Sequence, residues 1–176
     1  MAEEKKEKWL SYLSATTVVI AVCATLSTFK GGGYSTKALL NQSKASDQWS
    51  FYQAKGIKSY IYEMQVEQLE TELLAPTNHE VAAANQKRIE QYKKKIEKYA
   101  NEKEQISKEA KSFEDIRDDA KKHSEAFGFA VLFLQVSILL SSIAALIKKK
   151  PLWYLSMALG AVGILYFCNG FLLFIK

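Results

Sequence analysis

Two cysteines, two histidines and two prolines in 176 residues leave little room for several kinds of chemistry. Cys23 and Cys168 both fall inside apolar runs, so the chain carries no disulfide framework and no CxxC metal pattern. A cysteine in such a run reads as a small hydrophobe. His79 and His123 stand alone, with no spaced set of ligands around them, and no zinc site is expected. Glycine is sparse too. There is no GxGxxG or GxxxxGK[ST], and the one glycine cluster, "KGGG" at 30–33, has no phosphate-binding context. No G-x-S-x-G elbow and no HExxH occur. Carboxylates are plentiful, as in "FEDIRDD" (113–119), but no glycine-bent loop gathers them around a cation. That cluster reads as a solvated helix face. These absences weigh against an enzyme, and no catalytic, cofactor-binding or metal-binding residue is assigned.

Charge is missing from three long stretches. Ser11–Phe29, Phe127–Ile147 and Leu152–Ile175 contain no Asp, Glu, Lys or Arg. About 20 apolar helical residues cross the roughly 30 Å hydrocarbon core of a bilayer, and each stretch is long enough. A single run of this kind could be a buried core helix. Three of them in so short a chain leave too little protein to cover them, which predicts three membrane helices. The stretch between the first two, Lys30–Glu125, is densely charged and nearly neutral, with 17 Lys or Arg against 16 Asp or Glu. The net +5 therefore comes largely from Lys148, Lys149, Lys150 and Lys176, which flank apolar runs. That placement points to a membrane rather than to nucleic acid, although the basic pI alone would suit either.

The short loop "KKKP" (148–151) fixes the expected orientation, because lysines in short loops stay on the cytoplasmic side. The N-terminal tail, 1–10, is then cytoplasmic as well. The block 30–126 lies outside, in the periplasm of a Gram-negative cell. The expected location is the bacterial inner membrane. The first run is not expected to be a cleaved signal, since "MAEEKKEKW" mixes acid with base. Ala21-Val22-Cys23 makes a poor lipoprotein site because of Val22.

Within 30–126 the chain predicts a helical hairpin. "KGGG" is expected to end the first membrane helix and to act as a flexible joint. Tyr34–Ala75 then runs with one glycine and no proline, and His79–Glu125 with neither. Between them, near 75–79, Pro76 stops one helix, and Thr77 with Glu80 forms a capping box for the next. Ile89, Tyr92, Ile96, Tyr99, Ile106, Ala110, Phe113 and Ala120 alternate by three and four, with Lys103 and Arg117 interrupting. That spacing lines one narrow face, as in a coiled coil. The first arm answers with Trp49, Tyr52, Tyr62, Val66, Leu69 and Leu73. With the turn centred near 76–77, Glu63 and Glu67 fall near Lys87 and Arg88, and Lys44 near Glu109. Lys55 and Lys58 fall near Lys95 and Lys98, which would repel. Phe51, Tyr60 and Ile61 point away from this seam. Aromatics around more of the helix than a two-helix hairpin needs imply a further contact, favouring an oligomer.

The aromatic-rich segment carries a resemblance. Ala45-Ser46-Asp47-Gln48-Trp49, Tyr52-Gln53-Ala54-Lys55 and Ile57-Lys58 resemble the signature of a bacterial family catalogued as domain of unknown function 4337. Its members look like small membrane proteins whose signature follows a first membrane helix and which end in two membrane helices joined by a basic loop. The resemblance covers nearly the whole chain. It implies a bacterial inner-membrane protein and supplies no activity and no catalytic residue.

Inside the membrane runs, proton- and ion-coupling groups are lacking, which lowers the weight of a transporter. Small residues recur instead: Ser137, Ser141 and Ala145, then Ser156, Gly160 and Gly163, spacings that let helices approach closely. Gln135 and Asn169 are the amides well inside, suited to bridging helices or lining a narrow pore. The expected fold is an all-α membrane protein, with three transmembrane helices (11–29, 127–147, 152–175) and a long antiparallel coiled-coil hairpin between the first two. The expected function is a non-enzymatic scaffold that assembles with itself, with lipid and a further envelope protein as other partners. The alternative is an oligomeric channel or transport-accessory subunit. Trp49, Tyr52, Tyr60, Ser137, Ser141, Ser156 and Gly160 are the candidate interface residues.

Overall fold

The computed structural model describes residues 8–75 and 78–175. All secondary structure among them is helical: α1 (Lys8–Glu72), α2 (His79–Ile147) and α3 (Lys150–Leu172). Each helix contains a stretch long and apolar enough to cross a membrane. The stop at Pro76, the cap at Thr77, the first seven residues of the 1–10 tail and Lys176 lie outside the described residues. Asn78, the first described residue after Thr77, caps α2. Its side-chain oxygen accepts from the Glu80 amide at 3.3 Å, and its carbonyl takes the first helical bond from Ala82.

The chain divides into two compact units. One comprises Met1–Leu39 with Arg117–Lys176, the other Leu40–Ile116. In the first, parts of α1 and α2 pack with α3. The residues turned inward are small or apolar: Leu13, Ile20 and Ala24 on α1, Phe127, Ala130, Leu134 and Ala144 on α2. From α3 come Ser156, Gly160, Gly163 and Gly170, spaced by four, three and seven. A Cβ at Gly163 would stand 2.7 Å from the Leu134 side chain, and one at Gly170 2.6 Å from the Phe127 ring. Real Cβ atoms do not come so close, so these glycines let α3 approach α2 to a distance that larger residues forbid.

The stretch expected to be a joint, Lys30–Gly33, is continuous helix within α1. Each glycine costs a helix about 1 kcal/mol relative to alanine. Packing offsets this at Gly31, which lies against Phe127 and whose carbonyl accepts from Ser124 Oγ at 3.1 Å. A Cβ there would already crowd Phe127 at 3.0 Å.

In the second unit, α1 and α2 lie side by side. Partners fall along α2 as they rise along α1. Trp49 meets Glu114, Lys55 meets Glu102, Tyr62 meets Tyr99, and Glu70 meets Lys93. The residues turned toward α2 are Ala45, Gln48, Tyr52, Lys55, Ser59, Tyr62, Val66 and Leu69 on α1 and Leu73 in the turn just after it, all of them buried or half-buried. Their spacing alternates strictly between three and four. On α2 the same alternation runs through Ala82, Asn85, Ile89, Tyr92, Ile96, Tyr99, Lys103, Ile106, Ala110 and Phe113. Tyr52, Tyr62, Val66, Leu69 and Leu73 thus sit on the side expected of them, and Trp49, beside Gln48, reaches Glu114 from the edge of the seam. Ala45, Gln48, Lys55, Ser59, Ala82 and Asn85 escaped notice because small or polar residues do not stand out in a hydrophobic pattern.

The register differs from the one that charge pairing suggested. Lys44 stands over the Phe113 ring, 5.5 Å from its centroid, while Gln48 donates to Glu109 at 3.0 Å. Lys55 and Lys98 do approach one another, but Glu102 stands between them, 2.6 Å from Lys55 Nζ and 3.8 Å from Lys98 Nζ, so the expected repulsion is relieved. Tyr62 sets this offset by lodging between Tyr92 and Tyr99, at 5.2 and 6.1 Å between ring centroids. Aromatic pairs contribute about 0.5–1.5 kcal/mol each beyond burial. Exposed ion pairs give under about 1 kcal/mol, so the rings decide where the helices lock.

Candidate interaction surface

Two kinds of surface compete for the role of a functional site: what the helices turn toward one another, and what they leave facing outward. The signature segment Ala45–Lys58 belongs mostly to the first kind. Ala45 is fully buried. Trp49 Nε1 donates to Glu114 at 3.0 Å, and its ring meets Tyr52 edge-on at 5.4 Å. Tyr52 receives the Lys103 ammonium over its face, 4.8 Å from the centroid. Lys55 reaches Glu102 and also sits 5.4 Å from the Tyr99 centroid. Cations over aromatic faces explain how Lys55 and Lys103, which interrupt the apolar pattern, stay in the seam without leaving a charge unpartnered. Two of the candidate interface residues, Trp49 and Tyr52, are therefore engaged within the chain. Tyr60 is not, and is 63% exposed.

The small-residue candidates are likewise turned inward, all within the first unit. Ser137, Ser141, Ser156 and Gly160 are buried. Ser137 Oγ donates to the Ser156 carbonyl at 2.6 Å, and the Ser141 and Ser156 hydroxyls lie 2.7 Å apart. A Cβ on Gly160 would meet Ile20 at 2.8 Å and Ser137 Oγ at 2.9 Å. Packing inside one subunit accounts for all four. Asn169 is buried and closes the end of α3. Its side-chain oxygen accepts from the Ile175 amide at 2.7 Å, and its amide group donates to the Ile175 carbonyl at 3.4 Å. Gln135 is exposed.

His123, which the sequence left without a role, is held at the same end of this unit. Nδ1 donates to the Gly170 carbonyl at 2.8 Å and the ring stacks on Tyr34 at 4.5 Å. Among the described residues, no three His, Cys, Asp or Glu gather where they could hold a metal ion. Cys23 and Cys168 are both free thiols.

Outward on α1, in the second unit, lies a stripe that the seam does not use. Ala54, Ile57, Ile61 and Met64 alternate by three and four, offset by two residues from Tyr52, Lys55, Ser59 and Tyr62. Two residues are 200° of helix, so the stripe turns away from the seam, although Ile61 at its edge also lines a shallow cavity with Tyr92, Lys95 and Tyr99 of α2. Ile57 is 63% exposed, Ile61 49% and Met64 55%, and Phe51 and Tyr60 flank them. Below the stripe, Ile61, Met64, Gln65, Gln68 and Thr71 line a shallow cavity of about 610 Å³. Phe51, Tyr60 and Ile61 are exposed, in keeping with their expected direction away from the seam, and Ile57 and Met64 complete the stripe with Ile61.

The charged groups of this unit are arranged in local pairs. The Lys55 ammonium hydrogen-bonds Glu102 and holds its carboxyl below the usual range, while Lys108 does the same for Glu104. The Tyr62 hydroxyl accepts from Lys95 at 3.1 Å, and this raises the lysine. A carboxyl held low in the folded state stabilises above its unfolded pKa and loses that contribution as pH falls through its folded value. Helicity measured against temperature should therefore show stability declining on acidification below about pH 4.5. Glu102→Gln should flatten the decline; an unchanged acid profile would remove Glu102 from this account.

The profile of a family described as Domain of unknown function (DUF4337) matches residues 9–173, and the chain belongs to that family. No curated protein and no solved structure matches the chain.

Proposed function

We propose that this chain is a non-enzymatic membrane scaffold that assembles with itself through the outward stripe of α1. The observation that carries the reading is the second three-and-four pattern, Ala54-Ile57-Ile61-Met64, exposed on α1 outside the seam with α2. An apolar stripe of that spacing fits a helix, because knobs at such positions enter holes on a facing helix. Exposed large apolar groups set in order, rather than scattered, mark an interaction surface.

In this reading the three apolar stretches span the bacterial inner membrane. The 148–151 loop is cytoplasmic, and the paired parts of α1 and α2 stand outside as a coiled-coil hairpin. The strict alternation along both arms supports the coiled coil, and the lysines of the loop support the orientation. Copies inserted in one membrane share a direction, so their α1 stripes meet in parallel, Ile57 near Ile57 and Ile61 near Ile61. A further envelope protein sharing this stripe is the second class of partner.

Native mass spectrometry of the nanodisc-extracted protein tests this. A single closed stoichiometry is the expected result. A monomer across the accessible concentration range would end the self-assembly reading.

A further inference from the structure

Within α2, a second outward face lies in the apolar stretch. Gly128, Leu132, Gln135, Leu139, Ser142 and Leu146 alternate by four and three, and every one is exposed. Leu132 is 54% exposed, Leu139 62% and Leu146 85%. The inward face of the same stretch, through Phe127, Ala130, Leu134, Ser137, Ser141 and Ala144, is buried against its own chain.

Two side chains on the outward face are polar, and they are treated differently. Ser142 Oγ donates to the Ile138 carbonyl of its own helix at 2.9 Å. The Gln135 amide makes no hydrogen bond among the described residues. It stands about 13 Å along the helix from Ala126 and about 18 Å from Ile147, at 1.5 Å per residue. A glutamine side chain is too short to reach either polar boundary from there. An unpaired amide in hydrocarbon is costly, and relief must come from another group at the same depth.

We infer that a second copy of this chain docks on this face of α2, with the Gln135 amides of the two copies hydrogen-bonded to each other. An amide is its own complement, since it offers both two N–H donors and a carbonyl acceptor. Copies inserted in the same direction put identical residues at identical depth, so Gln135 meets Gln135. The three-and-four spacing calls for a helix as the occupant. Gly128 and Ser142, two turns to either side, allow it to come close. The inference rests on the self-assembly proposed above but places an interface within the membrane, separate from the α1 stripe.

The test is disulfide cross-linking in membranes of the full-length protein with Cys23→Ala and Cys168→Ala. Gln135→Cys and Leu139→Cys probe the face, and Leu139→Cys keeps the glutamine. Val136→Cys sits at the same depth but 100° around the helix, and is also exposed. Dimers at 135 and 139, with at least a tenfold lower yield at 136, are expected. Gln135→Leu should raise the concentration for half-assembly about three- to tenfold, the range of an interhelical amide bond. Equal yields at all three positions, or yield at 136 alone, from a particle that native mass shows to be oligomeric would overturn this face and leave the α1 stripe standing. A monomeric particle would overturn both.

Discussion

Phe127→Ala should be the most damaging single substitution in the chain, costing about 3–5 kcal/mol as large-to-small changes at buried aromatics do. Phe127 is fully buried, and its ring lies 5.0 Å from Phe171 and 6.1 Å from Phe167, both edge-on, with Tyr34 stacked at 6.0 Å. Gly31 and Gly170 touch it from two other helices, and neither could carry a Cβ without displacing it. The ring therefore fills the space that Gly170 vacates, while Gly31 lies against the Phe127 Cβ. Alanine would keep the Cβ beside Gly31 but leave a hole beside Gly170, which has no side chain to move into it. In thermal unfolding of the detergent-solubilised protein, followed by circular dichroism, the midpoint should fall by roughly 10 °C or more. Phe129→Ala, two residues away and 54% exposed, should move it far less. Comparable shifts for the two variants would show that burial at 127 is not what matters.

Ile57→Asp with Ile61→Asp should convert the assembled particle to single copies while leaving helicity intact. Ile57 lies outside the α1–α2 seam and Ile61 at its edge, so the paired helices of the second unit should lose little by the change. In the assembly each pair of copies would bring aspartates face to face in a desolvated seam, and like charges so placed repel by several kcal/mol. Native mass spectrometry reads the loss of stoichiometry, and circular dichroism reads the fold. Val66→Asp is the contrast. Val66 is 7% exposed inside the seam, and its replacement should cost helix pairing itself. A double aspartate variant that kept its wild-type mass would exclude the outward stripe as the interface.

Much of this was legible in the residues. Three uncharged runs of about twenty residues and a proline-poor charged block predict long helices with apolar stretches, and the structure has three of them among the described residues. The seam on α2 was legible because Ile89, Tyr92, Ile96 and Tyr99 repeat at coiled-coil spacing. The signature segment was legible as a resemblance, though not its reason, which is that Gln48, Trp49, Tyr52 and Lys55 each reach across to α2.

Other features took the tertiary structure to decide. Lys30–Gly33 reads as a break by local propensity, yet it stays helical because Phe127 and Ser124 pack and bond against Gly31. The register of α1 on α2 reads one way from charge and settles another way from Tyr62 between two tyrosines. Small residues spaced by four announce close approach without saying whether the neighbour is the same chain or another. Here Ser137, Ser141, Ser156 and Gly160 are used up within one copy, and Tyr60, Ile57, Ile61 and Gln135 are left over. The sequence by itself determined that the chain is helical and, outside Lys30–Gly33, where its helices run, since these follow from composition and period along one chain. Which of the helix faces is spent on the chain's own neighbours depends on contacts between residues far apart in sequence, and only the packed structure holds that information.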